Sequence, residues 1–421
     1  MNLQLLISNS AVLLSGSGLA QGATMLSLLL TARQLGVSGY GQYAACFSLS
    51  GFLSLLFSFG LDNWLLGEGR RSSTSLGQLV GSFFFTKIVG GLLWVGGILT
   101  VYTFWDSQIF PRNLLLISSL SMLMESLIST LLISLKVSLL FPKAAWLEAS
   151  ADLCWLGGTV GLMALGYDRV EFFMGIRAAV FGLFLLLFLI LIWKLYPLRI
   201  STSVIGKTFR PALPFAYSDL LSWASLRADV LIVSFFLTQN DVGHYATAVG
   251  VLNALFIVPA SLFSVTLPWL GQLMKENRTK ALIFAKKTIF LSGLLGIVTA
   301  GLVWLVSPLL TIVLGENFAT SAALFRYLGI ILVFKSLSFA FVAILIANGL
   351  QARRVLVQCM VVTVNIVLNL LVVRQFGVWG IGSIYIFTEI LLAFGYGWIS
   401  IRKMFPPAGV KACLPTVKGI F

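Results

Sequence analysis

The chain predicts an all-α, polytopic membrane protein of about twelve transmembrane helices, arranged as two bundles of six. Three observations lead there. Of 421 residues, 59% are apolar and only 10% are charged, against about 25% charged in an average soluble domain. Mean hydropathy is +1.00. Twelve separate apolar segments each approach the about 20 residues that a helix needs to cross about 30 Å of hydrocarbon. This composition excludes a soluble enzyme, a disordered chain and a nucleic-acid-binding domain, because too little polar surface exists to face water. The net charge of +14, from 28 Lys and Arg against 14 Asp and Glu, therefore reads as basic cytoplasmic loops and not as a nucleic-acid footprint.

The segments follow in order. The first, 7–31, has no basic residue ahead of it. It lacks the n-region of a cleavable signal and reads as a retained first helix. Segment 43–66 comes after a turn holding Gly36, Gly39 and Gly41. With no preceding strand and no Gly-Lys-Ser/Thr, that run is a membrane-surface turn and not a nucleotide loop. Segments 79–104, 114–138, 144–166 and 171–194 complete an N-terminal bundle, 1–194. A basic cytoplasmic linker, 195–211, follows, and it is expected to be partly amphipathic on the membrane surface. The C-terminal bundle and tail, 212–421, contain segments 212–237, 244–268, 288–314, 322–348, 356–375 and 379–401. Pro259, in the middle of the eighth segment, removes a backbone hydrogen bond and predicts a kink. Cys46, Cys154, Cys359 and Cys413 lie far apart, and His244 is the only histidine. No disulfide frame, metal site or cofactor is expected.

Charge gives the orientation. Five of the 28 basic residues lie inside spans: Lys87, Arg177, Arg227, Arg326 and Lys335. With the N-terminus in the cytoplasm, the outward loops hold four, Arg33, Arg112, Arg169 and Arg374. The remaining nineteen fall in inward loops and the tail, so both termini are expected in the cytoplasm. An internal repeat supports the two halves: Gly41 and Tyr43 map onto Gly243 and Tyr245 at an offset of 202 residues. A weaker echo sets Glu125-Ser126-Leu127 against Lys335-Ser336-Leu337. An even number of spans per half makes such repeats parallel.

The residues also carry a resemblance. Ala32-Arg33-Gln34-Leu35-Gly36, Tyr40-Gly41-Gln42-Tyr43, Gly60-Leu61-Asp62 and Gly67-Glu68-Gly69-Arg70-Arg71 resemble the opening of bacterial polysaccharide-repeat-unit flippases of the O-antigen type. So do Leu314-Gly315-Glu316-Asn317-Phe318, Ser321-Ala322-Ala323 and Leu328. These flippases belong to the multidrug/oligosaccharidyl-lipid/polysaccharide exporter superfamily. The resemblance implies a V-shaped pair of six-helix bundles in the bacterial inner membrane. It further implies a transporter, not an enzyme, that moves undecaprenyl-pyrophosphate-linked oligosaccharide. Membrane lipids, H⁺ or Na⁺, and a polysaccharide polymerase machinery are the implied partners.

A charge inside a bilayer costs about 2.5 kcal/mol or more on insertion scales, so the intramembrane charges need a reason. A cationic cavity for a pyrophosphate would use Lys87, Arg177, Arg227, Arg326 and Lys335, since arginine suits phosphate through paired hydrogen bonds and lysine acts as a point charge. The bland alternative is that each cation snorkels to an interface or pairs with a carboxylate. Asp219, Trp223 and Arg227 recur every four residues and share one helix stripe, with Trp223 placed to stack on sugar. Glu125, Asp219, Asp229 and Glu389 are the carboxylates for ion coupling, or else partners of the cations. Asp62, Glu148 and Asp152 lie nearer cytoplasmic ends, where solvation or pairing with Arg70, Arg71 or Lys143 is the simpler reading. Two other functions compete with a flippase. A multidrug or cation antiporter of the same superfamily calls for an acidic cavity. A membrane-embedded polysaccharide polymerase or ligase calls for a large outer loop or a histidine-based set, and the outer loops are short.

Overall fold

A computed structural model describes residues 3–69, 72, 74–101 and 108–404 of the chain, and no strand occurs among them. Helix α1, Leu3–Ser58, is broken once, at Gly36 (φ 69°, ψ −179°). The expected turn between the first two segments is thus a single residue, in a conformation that a side chain with Cβ rarely adopts. Phe59 and Gly60, at φ 44° and 65°, interrupt the second segment and open the short α2, Leu61–Glu68. Then come α3 (Leu76–Val101), α4 (Arg112–Val137), α5 (Phe141–Ala164) and α6 (Val170–Leu195). The part of the third segment beyond Val101 lies outside the described residues.

The expected partly amphipathic linker, 195–211, ends inside a helix. Helix α7 spans Thr202–Phe236, with Pro211 and Pro214 inside it. The amphipathic stretch and the seventh segment are therefore one helix. Val204, Thr208 and Ala212 are buried at four-residue spacing, so its first turns already carry an inward stripe. Helix α8, Gln239–Leu255, stops at Phe256, and α9 covers Ile257–Glu276. The kink expected at Pro259 is this stop. The proline has no N–H for the carbonyl of Leu255 and its ring crowds that carbonyl, so the break falls before Pro259. Helix α10 (Arg278–Leu314) follows. A 3₁₀ turn (Glu316–Phe318), α11 (Ala319–Leu328), α12 (Ile331–Ala347) and α13 (Gln351–Met404) complete the described chain. Helix α13 is broken at Gly377 (φ 55°), which divides the last two expected segments.

Each of the twelve expected segments thus falls on a helix, on one limb of a kinked helix, or on a pair of helices parted by a short break. Among the described residues, six helices are long and apolar enough to cross a membrane, or seven if Glu316–Leu328 and Ile331–Ala347 form one span. Leu92, Leu93, Phe290, Leu305 and Ile312 are among many large apolar side chains left exposed, as expected where lipid is the solvent. The chain is a multi-pass, all-α membrane protein.

Two compact units emerge from the packing. The first contains Met1–Leu255, Val303–Leu328 and Ile366–Ile384; the second contains Phe256–Leu302, Gly329–Asn365 and Tyr385–Phe421. The core of the first is built on Leu79, Phe83, Leu131, Trp155 and Phe181. That of the second is built on Leu270, Ala281, Ala285, Ile344 and Tyr396.

Within the first unit the repeat becomes physical. A Cβ placed on Gly41 would collide with the carbonyl of Gln239 and the amide of Gly243, and one placed on Gly243 would collide with the carbonyl of Val37. Gln239 lies 202 residues after Val37, so the two glycines meet each other's helices in matching fashion. The Ser38 hydroxyl donates to Gln239 Oε1 at 2.8 Å. The Gln108 carbonyl accepts from Gln42 Nε2 at 3.2 Å and from Gln239 Nε2 at 3.0 Å. The weaker echo also has a backbone counterpart. Leu139 and Gly349, 210 residues apart like Glu125 and Lys335, both take left-handed φ at the turns after α4 and α12 (62° and 69°).

Candidate functional site

The first unit encloses a cavity of about 580 Å³. Helix periodicity supplies its walls. Gln21, Thr24, Met25 and Leu28 face it from the first limb of α1, and Tyr40, Tyr43, Phe47 and Gly51 from the second. Helix α7 adds Trp223, Leu226, Arg227 and Val230, and α8 adds Ala246, Val249, Gly250 and Asn253. All four sets follow the three-to-four-residue spacing of one helix face. Met122 and Glu125 of α4, Glu148 and Asp152 of α5, and Arg177 of α6 close the other side.

The charges in this cavity fall into two classes. Arg177 is committed. Its Nη2 donates to Glu125 Oε2 at 2.7 Å. Its guanidinium carbon lies 4.3 Å from the Phe47 ring centroid, 4.2 Å from Trp155 and 5.2 Å from Phe181. Aromatic faces carry negative quadrupole potential, and a desolvated cation over one gains about 2 kcal/mol. Glu148 is loosely matched to Lys136 at 3.6 Å. Arg227 and Asp152 are uncommitted. Among the described residues no carboxylate lies within 4 Å of Arg227. Its guanidinium is exposed to the cavity, 5.7 Å from the same Phe47 ring. Asp152 Oδ1 accepts one hydrogen bond, from Thr24 Oγ1 at 3.0 Å. Trp223 leans on Phe52 with ring centroids 5.1 Å apart, and its Nε1 has no hydrogen-bond partner among the described residues.

A family profile described as "Polysaccharide biosynthesis protein" matches residues 6–274. The chain belongs to that family. Every wall of the cavity, from Ala20 to Ala254, lies inside the matched stretch of this polysaccharide biosynthesis protein. The probable low-salt glycan biosynthesis flippase Agl15 of Haloferax volcanii is 23% identical over 433 residues, covering 95% of this chain and 88% of the relative. Two solved structures share the fold. An inward-facing MATE-family multidrug resistance transporter of the MOP superfamily superposes with a TM-score of 0.70 at 12% identity, over 91% of this chain and 94% of the other. The lipid II flippase MurJ, in an inward closed conformation, gives 0.64 at 16% identity, over 90% and 87%.

The polysaccharide biosynthesis protein gathers Arg177, Trp223, Arg227 and Glu125 of the sequence-predicted set around this one cavity and places the others elsewhere. Lys87 is fully buried, with its ammonium 2.8 Å from Asp62 Oδ2 and 2.9 Å from the Ser126 carbonyl. Asp219 accepts from Asn63 Nδ2 at 2.5 Å. Asp229 is buried and accepts from Tyr245 at 3.2 Å and from Asn369 at 2.7 Å. Arg326 lies 3.7 Å over the Trp304 ring. In the second unit, Lys335 pairs with Glu389 at 2.6 Å and sits 5.0 Å from the Phe256 ring. The two internal pairs correspond with their charges exchanged. Glu125 on α4 holds Arg177 on α6, while Lys335 on α12, the position 210 residues on from Glu125, holds Glu389 on α13. Sequence reasoning missed Phe47, Thr24, Asp152 and Asn253 as cavity residues. Phe47 and Thr24 are not conspicuous in an apolar span, and only the four-residue register with Tyr43 and Gly51 singles Phe47 out.

Proposed function

We propose that this protein is a flippase that carries lipid-linked oligosaccharide, in the form of undecaprenyl-pyrophosphate repeat units, across the bacterial inner membrane. The bundles 1–194 and 212–421 would rock about the cavity, linked by the basic segment 195–211, with both termini in the cytoplasm. The single observation that carries this reading is Arg227: a cation inside a helical membrane protein, exposed to a cavity and unmatched by any carboxylate within 4 Å among the described residues. Such a charge is costly unless an anion comes to it, and a pyrophosphate fits a guanidinium through paired charge-assisted hydrogen bonds. Family membership and the similarity to a probable glycan biosynthesis flippase support a glycan precursor as cargo. A lipid II flippase shares the fold. No residue of the cavity is assigned a catalytic role; binding and release suffice for translocation.

Alternating access lets the polar head pass without meeting hydrocarbon, because the route opens to one side at a time. Coupling to H⁺ or Na⁺ would act through a cavity carboxylate, with Glu125 the sequence-predicted one at this site. A second reading, a cation antiporter, draws on Glu125, Glu148 and Asp152 lining the same cavity. Two of the three are matched by cations, which favours the anionic cargo.

The test is reconstitution. The purified protein in liposomes should translocate a polyprenyl-pyrophosphate saccharide. Arg227→Ala should lose most of that rate while inserting at normal level, with Arg227→Lys intermediate. Efflux of an organic cation with no movement of the lipid-linked saccharide would establish the antiporter instead.

A further inference from the structure

We propose that the cavity selects its glycan by charge, taking uncharged, hydroxyl-bearing sugars and rejecting uronic-acid sugars, with Asp152 as the specificity-determining residue. This rests on the flippase reading above. Among the described residues, two arginines and three carboxylates line the cavity. Arg177 is held by Glu125 at 2.7 Å, and Glu148 is matched by Lys136 at 3.6 Å. That leaves one cation, Arg227, and one anion, Asp152. The pyrophosphate occupies the cation, so no positive charge is left over for an acidic sugar.

The chemistry around Asp152 suits hydroxyl groups. An ionised carboxylate has about four acceptor sites, and Asp152 uses one of them, for Thr24 at 3.0 Å. Trp223 Nε1 and Asn253 Oδ1, both on the cavity wall, are buried without hydrogen-bond partners among the described residues. The first is a donor and the second an acceptor, and the Trp223 indole offers a flat apolar face. Acceptors, a donor and an aromatic plane are what a sugar ring with several hydroxyls can satisfy together. A uronate would bring a negative charge to Asp152, with the carboxylates of Glu125 and Glu148 on the same walls. Specificity built this way comes from the repelled competitor as much as from the accepted cargo.

The experiment uses the full-length protein in liposomes and two probes. Both have the same polyprenyl chain, pyrophosphate and disaccharide, but one disaccharide is neutral and the other carries a uronic acid. Translocation is read as the probe becoming accessible to a membrane-impermeant oxidant of vicinal diols. The wild type should move the neutral probe at least about tenfold faster, a scale within what like-charge repulsion of several kcal/mol allows. Asp152→Asn should raise the rate of the uronate probe relative to the neutral probe until that gap closes. Thr24→Val keeps the carboxylate and should keep the preference. Equal rates in the wild type, or an unchanged ratio in Asp152→Asn, would overturn the charge filter. Should Asp152→Asn fail to fold, the wild-type ratio decides alone. Movement of neither probe would remove the flippase reading itself.

Discussion

Lys87 separates the two fates of an intramembrane cation, because its pairing can be dismantled from either end. Its side chain is fully buried, with the ammonium on Asp62 and on the Ser126 carbonyl. Asp62 is 17% exposed, and its second oxygen accepts from Thr130 at 2.7 Å. Asp62→Ala leaves a buried ammonium with one carbonyl, and removing one partner of such a pair costs about 3–5 kcal/mol. The Thr130 hydroxyl adds little to that cost, since it also reaches the Ser126 carbonyl at 3.3 Å. Lys87→Met leaves a carboxylate that keeps Thr130 and some water, so about 1–3 kcal/mol is the expected loss. In the double variant Lys87→Met with Asp62→Leu, no charge is left stranded, and stability should return to within about 1 kcal/mol of wild type. The assay is unfolding in mixed lipid–detergent micelles, followed by tryptophan fluorescence, beside glycan export in cells. A double variant as unstable as Asp62→Ala would refute the pairing argument. A stable double variant, present at normal level but inert in export, would put Lys87 back on the substrate.

The remaining predictions are these. A reporter active only outside the cytoplasm should be silent when fused after Phe421 and active when inserted near Asp241; the reverse pattern would remove the assigned orientation. In a variant lacking Cys46, Cys154, Cys359 and Cys413, single cysteines at Arg227 and Val230 should react with a small water-soluble thiol reagent. A cysteine at Ile232, which is not part of the cavity wall, should stay protected, and protection of all three would mean that this face of α7 is closed to water. Cysteines replacing Ser38 and Gln239, whose side-chain oxygens lie 2.8 Å apart, should cross-link under oxidation and stop transport, with reductant restoring it. Transport by the fully cross-linked protein would show that this contact never opens.

Hydropathy made the spans legible because a bilayer forces long apolar helices on any sequence that crosses it. The exact stops were less so. Pro259 announced a break, but the residue that yields is Phe256, since the ring acts on the turn before it. Pro211 and Pro214 look like boundaries, yet α7 runs through both. In the site, the stripe bearing Trp223 and Arg227 follows from four-residue spacing alone, but Asp219 on that same stripe binds Asn63 and is no part of the cavity wall. Pairings such as Lys335 with Glu389, 54 residues apart, depend on the rotation of two helices about their axes, which apolar runs do not encode. Asp152 looked like an interfacial carboxylate for the same reason: only the approach of α1, with Thr24, shows that it borders an interior space.

The meeting of Gly41 and Gly243 has a consequence for how such a chain can change over generations. Most tight contacts can be relieved by trimming the opposite side chain, so a bulky replacement on one side is rescued by a small one on the other. Here the obstacle to a methyl group at either glycine is the other helix's main chain, at Gln239 and at Val37. A carbonyl is common to all twenty amino acids, so no replacement at those positions makes room. The two glycines are therefore independent requirements with no second-site remedy short of moving a helix. The internal ion pairs differ in polarity, Glu125–Arg177 against Lys335–Glu389, but the contact of Gly41 with Gly243 is fixed by what neither residue possesses.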